Sequence, residues 1–258
     1  MDKRTIAMTI AGFDPSGGAG VLNDVKTFES LGVYGTAVVT ALTAQNIHEV
    51  TGVLPVDVGF IEKQMDTVLQ SEDIKYAKTG MLYSQEIVKA VASRVEEHEL
   101  KLVVDPVMVA GSGGFLSKKG LAESIKKYLL PISVLTTPNI HEAETLSGIK
   151  IENEGDAIEA ALEIGKYCDV VVTGGHLKGS DIFYNGSIHV FEGELMENNN
   201  THGSGCTYSS AVTAMLSKGC DMESSIKFAG NFVKESIKYG TRGTLNQMWK
   251  FDDPLDSI

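Results

Sequence analysis

Strand-like and helix-like runs alternate along nearly the whole chain, and this alternation constrains the fold more than any other feature. Short apolar runs at Ile6–Ala11, Gly35–Leu42, Ile74–Lys78, Leu102–Asp105, Val134–Thr137 and Val170–Thr173 read as strands. Helical periodicity covers Ala19–Ser30, Val58–Gln70, Gln85–Glu97, Lys118–Tyr128, Ile140–Leu146, Ala157–Tyr167, Cys206–Leu216 and Met222–Lys238. Strands spaced by helices predict an α/β fold, with a mostly parallel sheet covered by helices on both faces. The run Ile182–Phe191, with Asn185-Gly186 at its centre, predicts a hairpin at an antiparallel edge of that sheet. The length of 258 residues suits one large α/β domain as well as two small ones, and no linker, repeat or low-complexity segment divides it.

Composition narrows the partners. A net charge of −12 argues against nucleic acid or an anionic membrane, though a small anionic ligand can still meet a locally positive site. No apolar run approaches the ~18 residues of a membrane-spanning helix. The first residues lead straight into a strand, so no secretory signal is expected. Cys168, Cys206 and Cys220 form no C-x-x-C pair, which points to a reducing, cytoplasmic setting.

Two glycine-rich turns carry the chemistry. Thr201-His202-Gly203-Ser204-Gly205-Cys206 precedes a helix of small apolar residues. Its free backbone N–H groups and the helix dipole favour an anion, and the same position favours a thiolate at Cys206. An anion hole beside an ionisable side chain is what phosphoryl transfer to an alcohol needs. The competing reading is an ordinary helix start with a small buried cysteine. At the N-terminus, strand Ile6–Ala11 is followed by Gly12-Phe13-Asp14-Pro15-Ser16-Gly17-Gly18-Ala19-Gly20 and a helix. This is not a dinucleotide fingerprint, because Asn23 stands where the third glycine belongs. No stretch supplies a P-loop either.

The segment Ala11–Gly20 resembles the opening signature of the hydroxymethylpyrimidine/phosphomethylpyrimidine kinases, thiamine-biosynthetic members of the ribokinase-like superfamily. Thr201–Thr207 resembles their distal signature. Ala44-Gln45-Asn46, Thr79-Gly80-Met81-Leu82, Val104-Asp105-Pro106-Val107-Met108, Thr137-Pro138-Asn139 and Gly174-Gly175-His176-Leu177 occur between them in the family's order. The resemblance covers about Thr5 to Gly243. It implies a single ribokinase-like domain over 1–258, with residues 46–56 forming a small flap over the substrate. It also implies a homodimer, ATP as co-substrate and Mg²⁺. The acceptor would be 4-amino-5-hydroxymethyl-2-methylpyrimidine and then its monophosphate. Two rival readings are a pyridoxal or pyridoxine kinase and a catalytically silent pyrimidine sensor.

The resemblance also distributes roles. It puts Gly12, Asp24, Gln45, Met81 and Val107 in the pyrimidine pocket; read by itself, Asp24 is equally a solvated helix carboxylate. Cys206 would take the hydroxyl proton, or act by charge and position, while the N–H groups of Gly203, Ser204, Gly205 and Cys206 stabilise the moving phosphoryl group. Asp105 at a strand end and Glu142 of Asn139-Ile140-His141-Glu142 suit Mg²⁺ held through water. Asn139 is an ATP contact, a helix N-cap, or both. His202 is a phosphate contact or loop packing. Relatives usually carry a lysine just before Gly-Gly-His-Leu; here Thr173 fills that slot. Lys178 lies five residues on and can replace the charge, or is a solvated loop residue.

Overall fold

The computed structural model describes residues 4–108, 120–174, 179–193 and 198–251. In chain order the strands are β1 (Ile6–Phe13), β2 (Tyr34–Gln45), β3 (Val50–Pro55), β4 (Tyr76–Thr79), β5 (Lys101–Val104), β6 (Ser133–Thr136), β7 (Val170–Val172), β8 (Asp181–Tyr184) and β9 (Ile188–Phe191). The helices are α1 (Gly20–Ser30), α2 (Val58–Ser71), α3 (Gln85–Glu97), α4 (Leu121–Ser124), α5 (Ile140–Ser147), α6 (Glu154–Ile164), α7 (Ser204–Ser217) and α8 (Met222–Lys238). All the strands form one sheet, in the order β3-β2-β1-β4-β5-β6-β7-β8-β9. Pairing is parallel from β2 through β7 and antiparallel at both edges.

The period of two in the strands splits the core into two layers. Met8 and Ile10 of β1, Leu102 and Val104 of β5, and Val170 and Val172 of β7 pack on one face, against α2, α3, α5 and α6. Ala7, Val103 and Val171 pack on the other, against Phe28 of α1, Ala211 of α7 and Phe232 of α8. Strands buried on both faces must be apolar at nearly every position, which is why these runs stood out in the sequence. Met8 and Phe28 are wholly buried, and each contributes roughly 1.5–3 kcal/mol by leaving water.

Some boundaries differ from the sequence expectation. β2 runs past Leu42 to Gln45 and pairs with β3, inside the segment expected as a flap. Asn46 closes that turn, its Oδ1 accepting from the N–H groups of His48 and Glu49 at 2.8 and 3.0 Å. The helix expected at Lys118–Tyr128 shrinks to α4, then widens into a π-turn at Ile125–Leu129 and a 3₁₀ turn at Leu130–Ile132. Pro131 cannot continue an α-helix. Lys118 and Lys119 lie outside the described residues. α6 starts before Ala157 because Asn153 and Asp156 form a capping box.

The helix starts fall into two kinds. Asp57, Ser84, Asn139, Asn153 and Asp221 cap α2, α3, α5, α6 and α8 with a side-chain oxygen. α1, α4 and α7 have Ala19, Gly120 and Gly203 at that position and no side-chain cap. The uncapped starts of α1 and α7 open on the same cavity.

Candidate active site

In open α/β sheets, ligands bind at the carboxyl ends of the strands. One broad cavity lies there. Gly12, Gln45, Met81, Asp105, Val107, Asn139, Glu142, Thr173, His202, Gly203, Ser204, Gly205 and Cys206 all line it. The structure thus brings together every sequence-predicted residue except Asp24 and Lys178. Lys178 lies outside the described residues.

Beside Gly12 the cavity wall is apolar. Met81 and Val107 line it, with Ala41 and Tyr83 packed against them. A Cβ at Gly12 would come within 2.6 Å of the Met81 sulfur, so glycine lets that thioether lie against β1. The Gln45 amide is oriented from both ends. Its Nε2 lies 3.4 Å from Asp14 Oδ2, and Thr43 Oγ1 lies 3.2 Å from its Oε1. Asp14 also accepts from the N–H groups of Ser16 and Ala19 and faces His202 Nε2 at 3.0 Å. Burial pushes the Asp14 carboxyl up, but hydrogen bonds from His202 and Ser16 outweigh it and hold the group below the ordinary aspartate range. His202 therefore bonds Asp14 from within the cavity wall.

The start of α7 also lines the cavity. Gly203 has φ +91°, and a Cβ there would come within 1.9 Å of the Gly18 carbonyl oxygen. Only glycine permits that close approach between the two glycine turns. Ser204 N–H donates to Thr201 O at 3.0 Å, so this amide closes its own turn and is not offered to a ligand. The N–H groups of Gly203, Gly205 and Cys206 have no acceptor among the described residues. Gly205 faces open space.

The Cys206 thiol differs from the expectation of a lowered pKa. Burial pushes it well above the ordinary cysteine value, and the Asp105 and Asp24 carboxylates push it further. Lys78 and the Gly20 N–H pull it down without prevailing. Desolvation outweighs the helix terminus here.

Asp24 is the clear correction. It does not line the cavity and is wholly buried. Its carboxylate accepts from Thr9 Oγ1 at 2.5 Å, Ser210 Oγ at 2.8 Å and Lys78 Nζ at 3.0 Å. α1 turns this side chain inward to the sheet, where the ammonium of Lys78 needs a counter-ion. Lys78 also lies 3.5 Å from Asp105 Oδ2. Burial disfavours the ammonium, but Asp24 and Asp105 hold its pKa above the ordinary lysine value. Sequence reading missed Lys78. Its signal was a lone lysine inside the apolar strand β4.

Asp105 and Glu142 form the acidic wall. Ser209 Oγ donates to Asp105 Oδ2 at 3.0 Å. Burial and the Asp24 carboxylate push the Asp105 carboxyl up, against Lys78 and Ser209. Glu142 closes a capping box: Asn139 N–H donates to its Oε2 and its own N–H donates to Asn139 Oδ1, both at 3.0 Å. Burial and the nearby Asp105 raise the Glu142 carboxyl to about 8.

The side of the cavity formed by β7, β8 and α8 was largely invisible in the sequence. Thr173 N–H donates to Pro138 O at 2.9 Å. Asp181 Oδ1 accepts from Gly174 N–H at 3.0 Å and Oδ2 accepts from the Tyr208 hydroxyl at 2.9 Å, tying β8 to α7. Ile226, Gly230 and Val233 of α8 line the same cavity. They follow no motif; only the packing of α8 beside α7 brings them there.

The chain is similar to known proteins along most of its length. A hydroxymethylpyrimidine/phosphomethylpyrimidine kinase of Staphylococcus aureus is 36% identical, covering 93% of this chain and 90% of its own length. A thiamine biosynthesis bifunctional protein ThiED of Geobacter sulfurreducens is 38% identical over 98% of this chain, which spans about half, 54%, of that longer protein. Among solved structures, the Staphylococcus aureus pyridoxal kinase in complex with AMP-PCP and pyridoxal superimposes with a TM-score of 0.87 at 32% identity, covering 97% of this chain and 96% of that one. A phosphomethylpyrimidine kinase of Clostridium difficile gives 0.80 at 36% identity, covering 91% and 100%. The family model described as phosphomethylpyrimidine kinase matches residues 14–248, and with both glycine turns, the acidic wall and Cys206 in one cavity, the chain belongs to that family.

Proposed function

We propose that the chain transfers the γ-phosphoryl group of ATP to the hydroxymethyl group of 4-amino-5-hydroxymethyl-2-methylpyrimidine, and then phosphorylates the monophosphate to the diphosphate used for thiamine. The observation that carries this reading is one cavity that joins the apolar wall at Gly12, Met81 and Val107 to the uncapped helix start carrying Cys206. Gln45 presents an oriented amide to the ring, and Gly12, Met81 and Val107 enclose it. The N–H groups of Gly203, Gly205 and Cys206 receive the charge of the moving phosphoryl group. Cys206 accepts the hydroxyl proton once its own thiol has ionised; burial opposes that ionisation, and Lys78 is the fixed cation that favours it. Transfer through a loose transition state needs little else from the protein beyond alignment.

Among the described residues, no three carboxylate, histidine or cysteine side chains converge as a metal cage. Asp105 and Glu142 face the cavity as an acidic pair: burial raises both carboxyls, and the Asp105 charge raises Glu142 further, which suits a cation shared with phosphates. These two would hold Mg²⁺ through water, and the ion would neutralise charge on the ATP phosphates. Asn139, Thr173 and Lys178 complete the ATP side of the reading, with His202 acting through Asp14.

A second reading, phosphorylation of pyridoxal, is favoured by the likeness to pyridoxal kinases. ATP turnover with the pyrimidine, its monophosphate and pyridoxal side by side decides between them. Turnover of pyridoxal alone would overturn the pyrimidine reading.

The exposed cross-strand pair Leu42 and Leu54, on β2 and β3, with Phe60 of α2 also exposed, supports a homodimer through this edge. Sedimentation of Leu54→Glu as a monomer is the expected result, and an unchanged dimer would move the contact elsewhere. The three unpaired thiols support a cytoplasmic location.

A further inference from the structure

Asn23 is the residue that spoils the dinucleotide fingerprint, and its side chain is wholly buried. A primary amide is an expensive group to bury unless it is fully paired. Here it is paired, and its partners come from both glycine turns. Nδ2 donates to Gly18 O at 2.7 Å and to Gly203 O at 3.4 Å. Oδ1 accepts from Thr207 Oγ1 at 3.1 Å. Gln247 Nε2 donates in turn to that Thr207 hydroxyl at 3.1 Å. The segments joined lie 180 residues apart in the chain.

The consequence lies in the peptide planes. In a trans peptide the carbonyl and the next N–H point in opposite directions. A carbonyl of Gly18 drawn toward Asn23 turns Ala19 N–H the other way, where it meets Asp14 Oδ2 at 3.0 Å. A carbonyl of Gly203 drawn toward Asn23 likewise fixes the first peptide of α7, and Ser204 N–H then closes on Thr201 O. Gly203 O also accepts from Thr207 N–H at 2.9 Å, so this one oxygen sets the pitch of the first helical turn. That turn carries the open amides of Gly205 and Cys206. The loop at Gly18 leads to Gly20, whose N–H bonds the Cys206 sulfur.

We propose that Asn23 is a positioning residue for phosphoryl transfer: its amide fixes the N-terminal glycine loop and the α7 anion turn in one mutual register. Asn23 touches neither ligand. It acts through Gly18 and Gly203, and it links the part of the wall that carries Asp14 and Gln45 to the part that receives the phosphoryl group. This inference rests on the kinase reading for its kinetic test, but not for its structural one.

The decisive variant is Asn23→Leu, close in size and unable to bond either carbonyl. Misplacing reacting groups by about an ångström costs roughly 10²-fold in rate. The expected result is a kcat lowered roughly 10–100-fold, with KM for the pyrimidine almost unmoved, measured well below the melting temperature. A purely structural role would lower the melting temperature and leave kcat of the folded protein near wild type. Hydrogen exchange on the unliganded protein supplies the second readout. The Ser204 and Thr207 amides should exchange faster in the variant, while β1 and β5 keep their protection. Thr207→Val, which removes one arm and keeps the packing, should move both readouts in the same direction by less, and it decides the matter if Asn23→Leu fails to fold. A near-wild-type kcat, or unchanged exchange at Ser204 and Thr207, would overturn the proposal. If the wild-type protein does not phosphorylate the pyrimidine, the kinase reading fails by itself, and the exchange measurement still decides the clamp.

Discussion

Helices α5 and α7 both begin at the rim of the same cavity, yet their first turns are built in opposite ways. α5 closes on itself. Asn139 caps Glu142 N–H, and the Glu142 carboxylate returns to Asn139 N–H. What it offers the cavity is a fixed carboxyl group beside Asp105. α7 starts at Gly203 with no cap, and three amides of that turn have no protein acceptor among the described residues. One helix start presents an acidic side chain and the other a positive dipole. On the proposed reading a polyphosphate with its cation would use both, and the fold supplies them from helices on opposite faces of the sheet.

The largest effect that tests this contrast is at α7. If the turn acts through its thiol, Cys206→Ala should lower kcat by roughly 10²–10⁴, the range for a proton-transfer group. Affinity for the pyrimidine, measured by calorimetry, should change little. Near-wild-type turnover would mean that α7 contributes its amides alone, and the thiol would leave the mechanism.

The contrast also explains what was legible in the sequence. The glycine turns, Asp105, Asn139 and Glu142 sit at strand ends or helix starts, where local sequence dictates geometry. β5 and β7 were legible as strands because a doubly covered strand is almost continuously apolar. Asp24 was misread because its neighbourhood in the chain, a glycine loop, says nothing of Lys78, which lies 54 residues away. The cysteine was expected to ionise from its helix start, but burial depends on tertiary packing that no local pattern records. Asp181 and the α8 residues of the cavity were silent for the same reason. The uncapped start of α7 was readable, while the fate of the Ser204 amide was not.

The next effect is at α5 and is read by pH. In the folded protein Glu142 titrates at about 8, against 4.5 ordinarily. Between those values the unfolded chain is ionised at this residue while the folded chain keeps its proton. The folded state then binds more protons, so stability falls as pH rises through that window, and the loss is complete above it. Glu142→Gln cannot ionise. Without metal, its urea midpoint should decline less with pH over this range than that of wild type. The Mg²⁺ dependence of turnover should shift to higher concentration. Parallel pH curves for the two proteins would show that Glu142 is already ionised, and the acidic wall would be a standing pair of charges.

The smallest effect separates the two roles of Asn139. As an N-cap it satisfies one orphan amide of α5, and loss of such a cap costs about 1 kcal/mol. Asn139 is also exposed at the cavity rim. Asn139→Ala should therefore lower stability by about 1 kcal/mol in urea titration. If capping is its whole role, KM for ATP and kcat stay at wild-type values in the folded variant. If the amide also meets the nucleotide, KM for ATP rises while KM for the pyrimidine does not. Asn139→Asp distinguishes these further, because aspartate caps as well as asparagine but adds a negative charge beside the phosphates. A variant that regains stability yet binds ATP more weakly would make α5 a nucleotide contact as well as a self-closed helix. Full recovery of both would leave α7 as the one helix start of the pair that binds ligand through its own backbone.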